Sequence, residues 1–321
     1  MKDELTIPVF LCADENYFPH LSAVIASAAQ NTAADIHFIV LTSSKSDAEK
    51  EKVARACGKN KISFVSVGEY ESAFAELPQK QEHITAAACF RYLIPQLDFP
   101  YQKGIYLDCD VIVRGDIGEL FGVDLGGAYL AGVYDYQSRK YAESLKVDKY
   151  FNSGVLLMNI KRMRADNTAQ NLISATLEMQ DKIKYLDQDV LNIVFGKEAA
   201  ILKPKFGAIS TLFRKSLPPA PGQSKKDVRD AVYEPVIVHF TGPDKPWVIP
   251  RGIAAHPWAP LYFYYLRKTP YAEKEAEILR GFKYWRRLFW YAKRHLLFFM
   301  RPRFWKMRLL YLKNKKRYAK G

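Results

Sequence analysis

Apolar runs of six or seven residues recur along the first part of the chain, and stretches with helical spacing separate them. Residues 7–13 form a run of buried-strand type, 19–30 a helix ending at Asn31, and 36–42 a second strand. Ser44 is placed to cap a helix running to about Cys57, and 62–67 forms a third strand. Strand alternating with helix in units of roughly 30 residues predicts a parallel sheet with helices on both faces. Residues 105–113, 129–133 and 154–159 extend the same sheet, while 160–180 and 187–196 have helical spacing. Ligands of such sheets bind beyond the carboxyl ends of the strands. Residues 14–17 follow the first strand and 108–110 end a later one, so both belong to one crevice. The proline-rich segment 217–222 reads as a surface loop or acceptor-side flap with no chemistry of its own.

One apolar run is interrupted by charge. Residues 105–113 read IYLDCDVIV, with Asp108 and Asp110 two apart and therefore on one face of a strand. Burying even one unpaired carboxylate costs several kcal/mol. A hard divalent cation is the compensation that also leaves coordination positions open for phosphate. The plainer alternative has one Asp capping a turn and the other in solvent, so partners elsewhere in the chain must decide.

Composition then narrows the classes. The 321 residues are 49% hydrophobic, ample for a core. The net charge of +14 suggests a nucleic-acid binder, but its distribution does not. Residues 281–321 hold 14 Lys/Arg and no Asp/Glu, so the totals of 48 and 34 leave 34 of each for residues 1–280. The body is neutral and the excess lies in the tail. Cys12, Cys57, Cys89 and Cys109 are far apart and read as small core residues rather than a disulfide framework. No window approaches the ~20 apolar residues of a membrane span, and the opening MKDELT lacks a signal core, so a cytoplasmic location is expected. Neither a dinucleotide G-x-G-x-x-G nor a P-loop signature is present.

Further polar residues sit where chemistry is feasible. His239 closes the apolar run 235–239 and leads into FTGPDKPW, in which Gly242 lets backbone N–H groups approach a phosphate and Lys245 offers a point charge. Asp187, Gln188 and Asp189 open a helix; capping explains either carboxylate but leaves Gln188 without a task. Asn152 stands at a strand entrance beside Gly154, and Arg91 is a lone cation on an apolar helix that either snorkels outward or reaches a polar site.

In order, the segments ADENY, FRYL, YLDCDVIV, FNSGVLLMN, DQDVLN and HFTGPDKPW resemble glycosyltransferase family 8, which includes bacterial lipopolysaccharide galactosyl- and glucosyltransferases and the glycogenins. The resemblance spans about residues 5–260. It implies the GT-A fold, a Rossmann-like α/β architecture with a mixed, mostly parallel sheet and helices on both faces. It also implies a UDP-hexose donor, Mn²⁺ (or Mg²⁺), and retention of anomeric configuration. By motif position Asp108, Asp110 and His239 would ligate the metal, Gly242 and Lys245 the diphosphate, and Ala13, Asp14, Asn16 and Tyr17 the uridine. Arg91, Asp108, Asn152, Asp187 and Gln188 would surround the donor sugar, and Asp135 matches a position near the acceptor. Where many relatives carry Asn after an aromatic residue, this chain has Gly207 after Phe206, which leaves 205–225 unassigned.

The expectation is a transferase domain over 1–265 and a basic, aromatic-rich region over 266–321. In the latter, Phe282, Trp285, Phe289, Ala292, Leu296 and Phe299 fall at helical spacing, and 304–312 repeats the pattern after Pro302. Such a helix suits an anionic membrane surface, here the inner face of the cytoplasmic membrane with a lipid-linked acceptor. A helix packed on its own domain and a nucleic-acid arm compete with that reading, and the neutral body argues against nucleic acid. The expected function is transfer of galactose or glucose from a UDP-sugar to a lipopolysaccharide-type or other cell-surface glycan. The alternative is a catalytically silent, membrane-associated nucleotide-sugar or glycan-binding protein.

Overall fold

The computed structural model describes residues 6–68, 86–136, 139–214, 216–242, 245–249, 255–281 and 302–319. Its main sheet has seven strands in the order β3 (Lys61–Ser66), β2 (Ile36–Thr42), β1 (Ile7–Cys12), β4 (Gly104–Leu107), β7 (Phe151–Met158), β6 (Leu130–Tyr134) and β8 (Ala199–Leu202). β1 is parallel to β2 and β4, β2 to β3, and β6 to β8; β7 alone runs against its neighbours β4 and β6. This is the mixed, mostly parallel sheet expected.

β1 and β2 are buried at every position, as continuous apolar runs with both faces covered must be. Alternation splits them between two cores. Ile7, Val9 and Leu11 join the core under helices Phe18–Asn31 and Ala259–Leu266. Phe10 and Cys12 join the opposite one, under the 3₁₀ segment Ala86–Gln96 and helices Thr168–Glu178 and Leu186–Phe195.

Three boundaries differ from the sequence expectation. Residues 105–113 are two strands rather than one: β4 stays in the main sheet, and β5 (Val111–Val113) leaves it for a small sheet ordered β5, β10 (Ile237–His239), β9 (Ala208–Ile209). Asp108 and Asp110 therefore stand at the break between sheets, and same-face alternation along one strand is not what brings them together. The helix after β2 is capped by Ser46, whose hydroxyl accepts the Glu49 N–H, while Ser44 Oγ accepts the Ser46 N–H. The run 160–180 divides into Ile160–Ala165 and Thr168–Glu178 at Asn167, which takes a left-handed φ of 48°.

All four cysteines are buried free thiols. The tail helix Pro302–Arg317 buries Phe304, Met307, Leu310, Tyr311 and Asn314, and it packs on Ala259–Leu266. Asn314 donates to the Pro257 carbonyl at 2.9 Å. Packing on its own domain is thus the arrangement of 302–317, whereas the amphipathic set from Phe282 to Phe299 lies outside the described residues. Among the described residues no helix is long and apolar enough to cross a membrane.

Candidate active site

A cavity of about 490 Å³ opens at the carboxyl edge of the main sheet. It collects the turn after β1, the sheet break after β4, Asp135 beyond β6, the first residues of β7, the start of helix Leu186–Phe195, and the segment after β10. Of the residues singled out from sequence, Ala13, Asp14, Tyr17, Arg91, Asp108, Asp110, Asp135, Asn152, Asp187, Gln188, His239, Gly242 and Lys245 all line it. Asn16 does not: it is exposed, and its backbone N–H, like that of Tyr17, is capped by the Asp14 carboxylate.

On one side Asp108, Asp110 and His239 bring three potential ligand atoms within 4.8 Å of one another. His239 Nε2 is 3.0 Å from Asp110 Oδ1 and 3.8 Å from Asp108 Oδ2. Among the described residues Asp110 Oδ1 is buried and accepts no hydrogen bond, an uncommon state that a cation would relieve. The approach depends on Gly154, where an added Cβ would lie 2.2 Å from His239 Cε1 and 2.5 Å from Asp108 Oδ2. Two carboxylates and an imidazole are suitable donors for Mn²⁺ or Mg²⁺, so the residues fit a divalent metal. Burial alone would raise the Asp110 carboxyl, but the adjoining Lys245 ammonium and His239 outweigh it and hold Asp110 below the usual carboxylate range. Lys245 follows Gly242, whose φ of 82° is a turn conformation that favours glycine.

The other side is built around Arg91, which is only 3% exposed and reaches the polar site rather than solvent. Its Nε donates to the Ala88 carbonyl (2.7 Å), Nη1 to the Ser153 carbonyl (2.7 Å) and Nη2 to Asp108 Oδ1 (2.8 Å). Nη1 also lies 3.2 Å from Asp187 Oδ2, and the guanidinium covers the Tyr106 ring at 4.1 Å. Tyr106 donates to Asp108 Oδ1 at 2.7 Å. Asp187 accepts from Ser153 Oγ at 3.0 Å; burial pushes its carboxyl up to about 6 despite Arg91, with Asp108 adding to the rise.

The Gln188 carboxamide is fixed at both ends. Its oxygen accepts from Asn152 Nδ2 (3.0 Å) and the Ser153 N–H (3.2 Å), and its nitrogen donates to Asp135 Oδ2 (3.1 Å) and Tyr150 Oη (3.3 Å). Leu186 enters the helix at a φ of 36°. Asp189 supports that turn by accepting the Lys184 and Tyr185 N–H groups at 2.7 Å each. Capping therefore accounts for Asp189, whereas Asp187 faces the cavity. Sequence reasoning passed over Tyr106 and Ser153. Tyr106 looks like core, yet it is two residues before Asp108, and Ser153 sits between two residues already singled out.

An α/β domain with an Asp-x-Asp pair at the edge of a mostly parallel sheet, facing a fixed amide across one cavity, has the GT-A architecture. The chain belongs to glycosyl transferase family 8, whose family model matches residues 8–249. It is similar to general stress protein A of Bacillus subtilis (28% identity over 277 residues, 84% of this chain and 95% of that protein). It is also similar to the lipopolysaccharide 1,2-glucosyltransferase of Escherichia coli K12 (24% over 285 residues, covering 84% and 81%). Among solved structures it resembles the galactosyltransferase LgtC in complex with donor and acceptor sugar analogues, with 27% identity, a TM-score of 0.73, and 82% of this chain and 96% of that one covered.

Proposed function

We propose that this family 8 glycosyltransferase is a retaining, metal-dependent enzyme that moves galactose or glucose from a UDP-sugar to a lipopolysaccharide-type or other cell-surface glycan. The observation that carries this reading is the Asp108–Asp110–His239 cluster, with its ligand atoms within 4.8 Å of one another and a buried Asp110 oxygen that takes no hydrogen bond among the described residues, lining one cavity with Gln188. A lipopolysaccharide glucosyltransferase among the relatives supports the acceptor class.

Asp108, Asp110 and His239 would hold Mn²⁺ or Mg²⁺, which when bound supplies Lewis-acid charge for the departing diphosphate. Ala13, Asp14 and Tyr17 would hold the uridine, and Lys245 with the N–H groups near Gly242 would add donors that strengthen as charge grows on UDP. Asp187 and Arg91 grip sugar hydroxyls. The bond from the anomeric carbon to UDP breaks while an acceptor hydroxyl attacks from the same face and passes its proton to the departing phosphate oxygen. By the family resemblance Gln188 would lie where a double displacement needs a nucleophile. Its amide is a poor one, and its oxygen is already engaged by two N–H donors, so it stabilises the oxocarbenium-like sugar without bonding to it.

The tail helix supports a second element of the reading. Trp305, Leu309 and Leu312 are 56%, 67% and 41% exposed on a helix that carries no acidic residue. This face suits an anionic membrane, with the enzyme peripheral on its cytoplasmic side. Because the same helix supplies core residues, truncation would confound the test. Liposome flotation of the wild type against a Trp305→Ser/Leu309→Ser variant is the cleaner comparison, and equal recovery in the soluble fraction would remove the membrane element.

The central test is Mn²⁺-dependent release of UDP from a panel of UDP-hexoses. The wild type should turn over at least one donor, and Asp108→Ala should abolish the release. No turnover with any UDP-sugar would leave a silent binding protein as the better account.

A further inference from the structure

The two site carboxylates each face a cation of the chain itself, and the two cations are held differently. Arg91, opposite Asp108, is locked by the Ala88 and Ser153 carbonyls and by the Tyr106 ring. Lys245, opposite Asp110, has that carboxylate as its hydrogen-bond partner among the described residues, and its side chain is 12% exposed. Its backbone segment is anchored separately, since Trp247 stacks on His20 with centroids 3.7 Å apart. A fixed backbone, a four-carbon stem and one hydrogen-bond partner among the described residues, with the Trp247 ring 5.7 Å from the ammonium, let the ammonium change partners.

We propose that Lys245 is an exchangeable counter-ion of the metal cluster: without nucleotide its ammonium holds Asp110 against an incoming divalent cation, and a diphosphate releases the site by drawing the ammonium onto its own oxygens. The inference rests on the metal-binding reading above. Its physical basis is charge balance. An unpaired Asp110 would be a buried charge with a large penalty, so the empty cluster needs a cation of its own. A divalent ion placed beside that ammonium would meet like-charge repulsion in a poorly screened cavity. Metal and nucleotide should therefore bind with positive coupling, each raising the affinity for the other by the same factor. The device would keep the cluster from taking up metal ions when no donor is present.

The test is Mn²⁺ binding to the full-length chain, read from the electron paramagnetic resonance signal of the free ion, with and without UDP. Without UDP, Lys245→Met should bind Mn²⁺ on the order of tenfold more tightly than wild type, a change within the usual range of coupling between sites. The same variant should bind UDP more weakly, so the two affinities move in opposite directions. Lys245→Arg, which keeps the charge, should stay near wild type for Mn²⁺ alone, and Lys245→Gln covers the case in which Met does not fold. If wild type binds Mn²⁺ with UDP while neither neutral variant binds Mn²⁺ alone more tightly, the counter-ion role is wrong and the metal site stands. If wild type binds no Mn²⁺ even with UDP, the metal reading itself fails and the inference falls with it.

Discussion

The two walls of the cavity solve the problem of buried charge in opposite ways. On the Arg91 wall the polar groups are committed to protein partners: three carbonyl or carboxylate oxygens take the guanidinium, and four groups take the Gln188 amide. On the Asp110 wall, Asp110 Oδ1 and His239 Nδ1 are buried and take no hydrogen bond among the described residues, and the Lys245 ammonium and the His239 ring are what offset the carboxylate. The carboxyl groups differ in the other sense: burial raises Asp187 to about 6 despite Arg91, whereas Lys245 and His239 outweigh burial and hold Asp110 below the ordinary range. The first wall is a finished template and the second is an unfinished one that, on the proposed function, a ligand would complete. A wall of the first kind should fail by unfolding when cut, and one of the second kind by losing activity.

Arg91→Met is expected to have the largest effect. It leaves Asp108 and Asp187 facing one another without their shared cation, and removing one partner of a buried pair costs about 3–5 kcal/mol. Urea unfolding of the unliganded protein measures this; a loss below about 1 kcal/mol would mean that the wall is not held by its ion pairs. Next comes Gly154→Ala, which drives a methyl group against His239 and Asp108. A displacement near 1 Å in a catalytic site lowers turnover roughly 100-fold. Steady-state kcat with the preferred UDP-hexose, alongside a circular dichroism check of folding, tests it. Near wild-type kcat would separate the cluster from the chemistry.

Much of this could be read before any coordinates. β1 and β2 were legible because burial on both faces leaves an unbroken apolar run, and His239, Gly242 and Lys245 because they share one short segment. The split of 105–113 was not, since β4 and β5 are equally apolar and a change of sheet leaves no mark in composition. Asp187 and Asp189 both open the helix; capping of the Lys184 and Tyr185 N–H groups takes Asp189, and Arg91, some hundred residues earlier, meets Asp187. Pairings such as Lys245 with Asp110, 135 residues apart, arise from topology, to which local pattern is blind.

Asp187 also sets a pH test of the finished wall. Its folded pKa of about 6 lies above the unfolded value of about 3.9, so its contribution to stability is fully present below pH about 4 and is lost as pH rises through about 6. Its proposed use as an acceptor for sugar hydroxyls runs the other way, because that needs the ionised form. KM for the UDP-hexose should rise up to about tenfold per unit below pH 6, while the urea midpoint of the unliganded protein gains from the same protonation. Asp187→Asn should flatten both trends, and a pH-independent KM in the wild type would remove Asp187 from donor binding.

The smallest effect expected is at His20, which belongs neither to the cavity lining nor to the Asp108–Asp110–His239 cluster yet underlies the unfinished wall. Trp247 lies on its ring at an interplanar angle of 17°, and His20 Nδ1 pairs with Tyr262 Oη at 2.7 Å. Burial pushes its pKa down to about 3, so the stack is with a neutral ring throughout the physiological range. Trp247 is two residues from Lys245, so the stack sets where the ammonium stem begins. His20→Ala should raise the KM for UDP-hexose about three- to tenfold, as expected for a loss of about 1 kcal/mol of aromatic contact, with kcat little changed. His20→Phe keeps a ring under Trp247 and should recover most of the loss. The edge-on contact of Tyr17 with His20, at 5.6 Å, supplies the control. If uridine, which lacks phosphates, weakens as much as UDP in His20→Ala, the effect runs through Tyr17 and the nucleoside; if UDP alone weakens, it runs through Trp247 to Lys245.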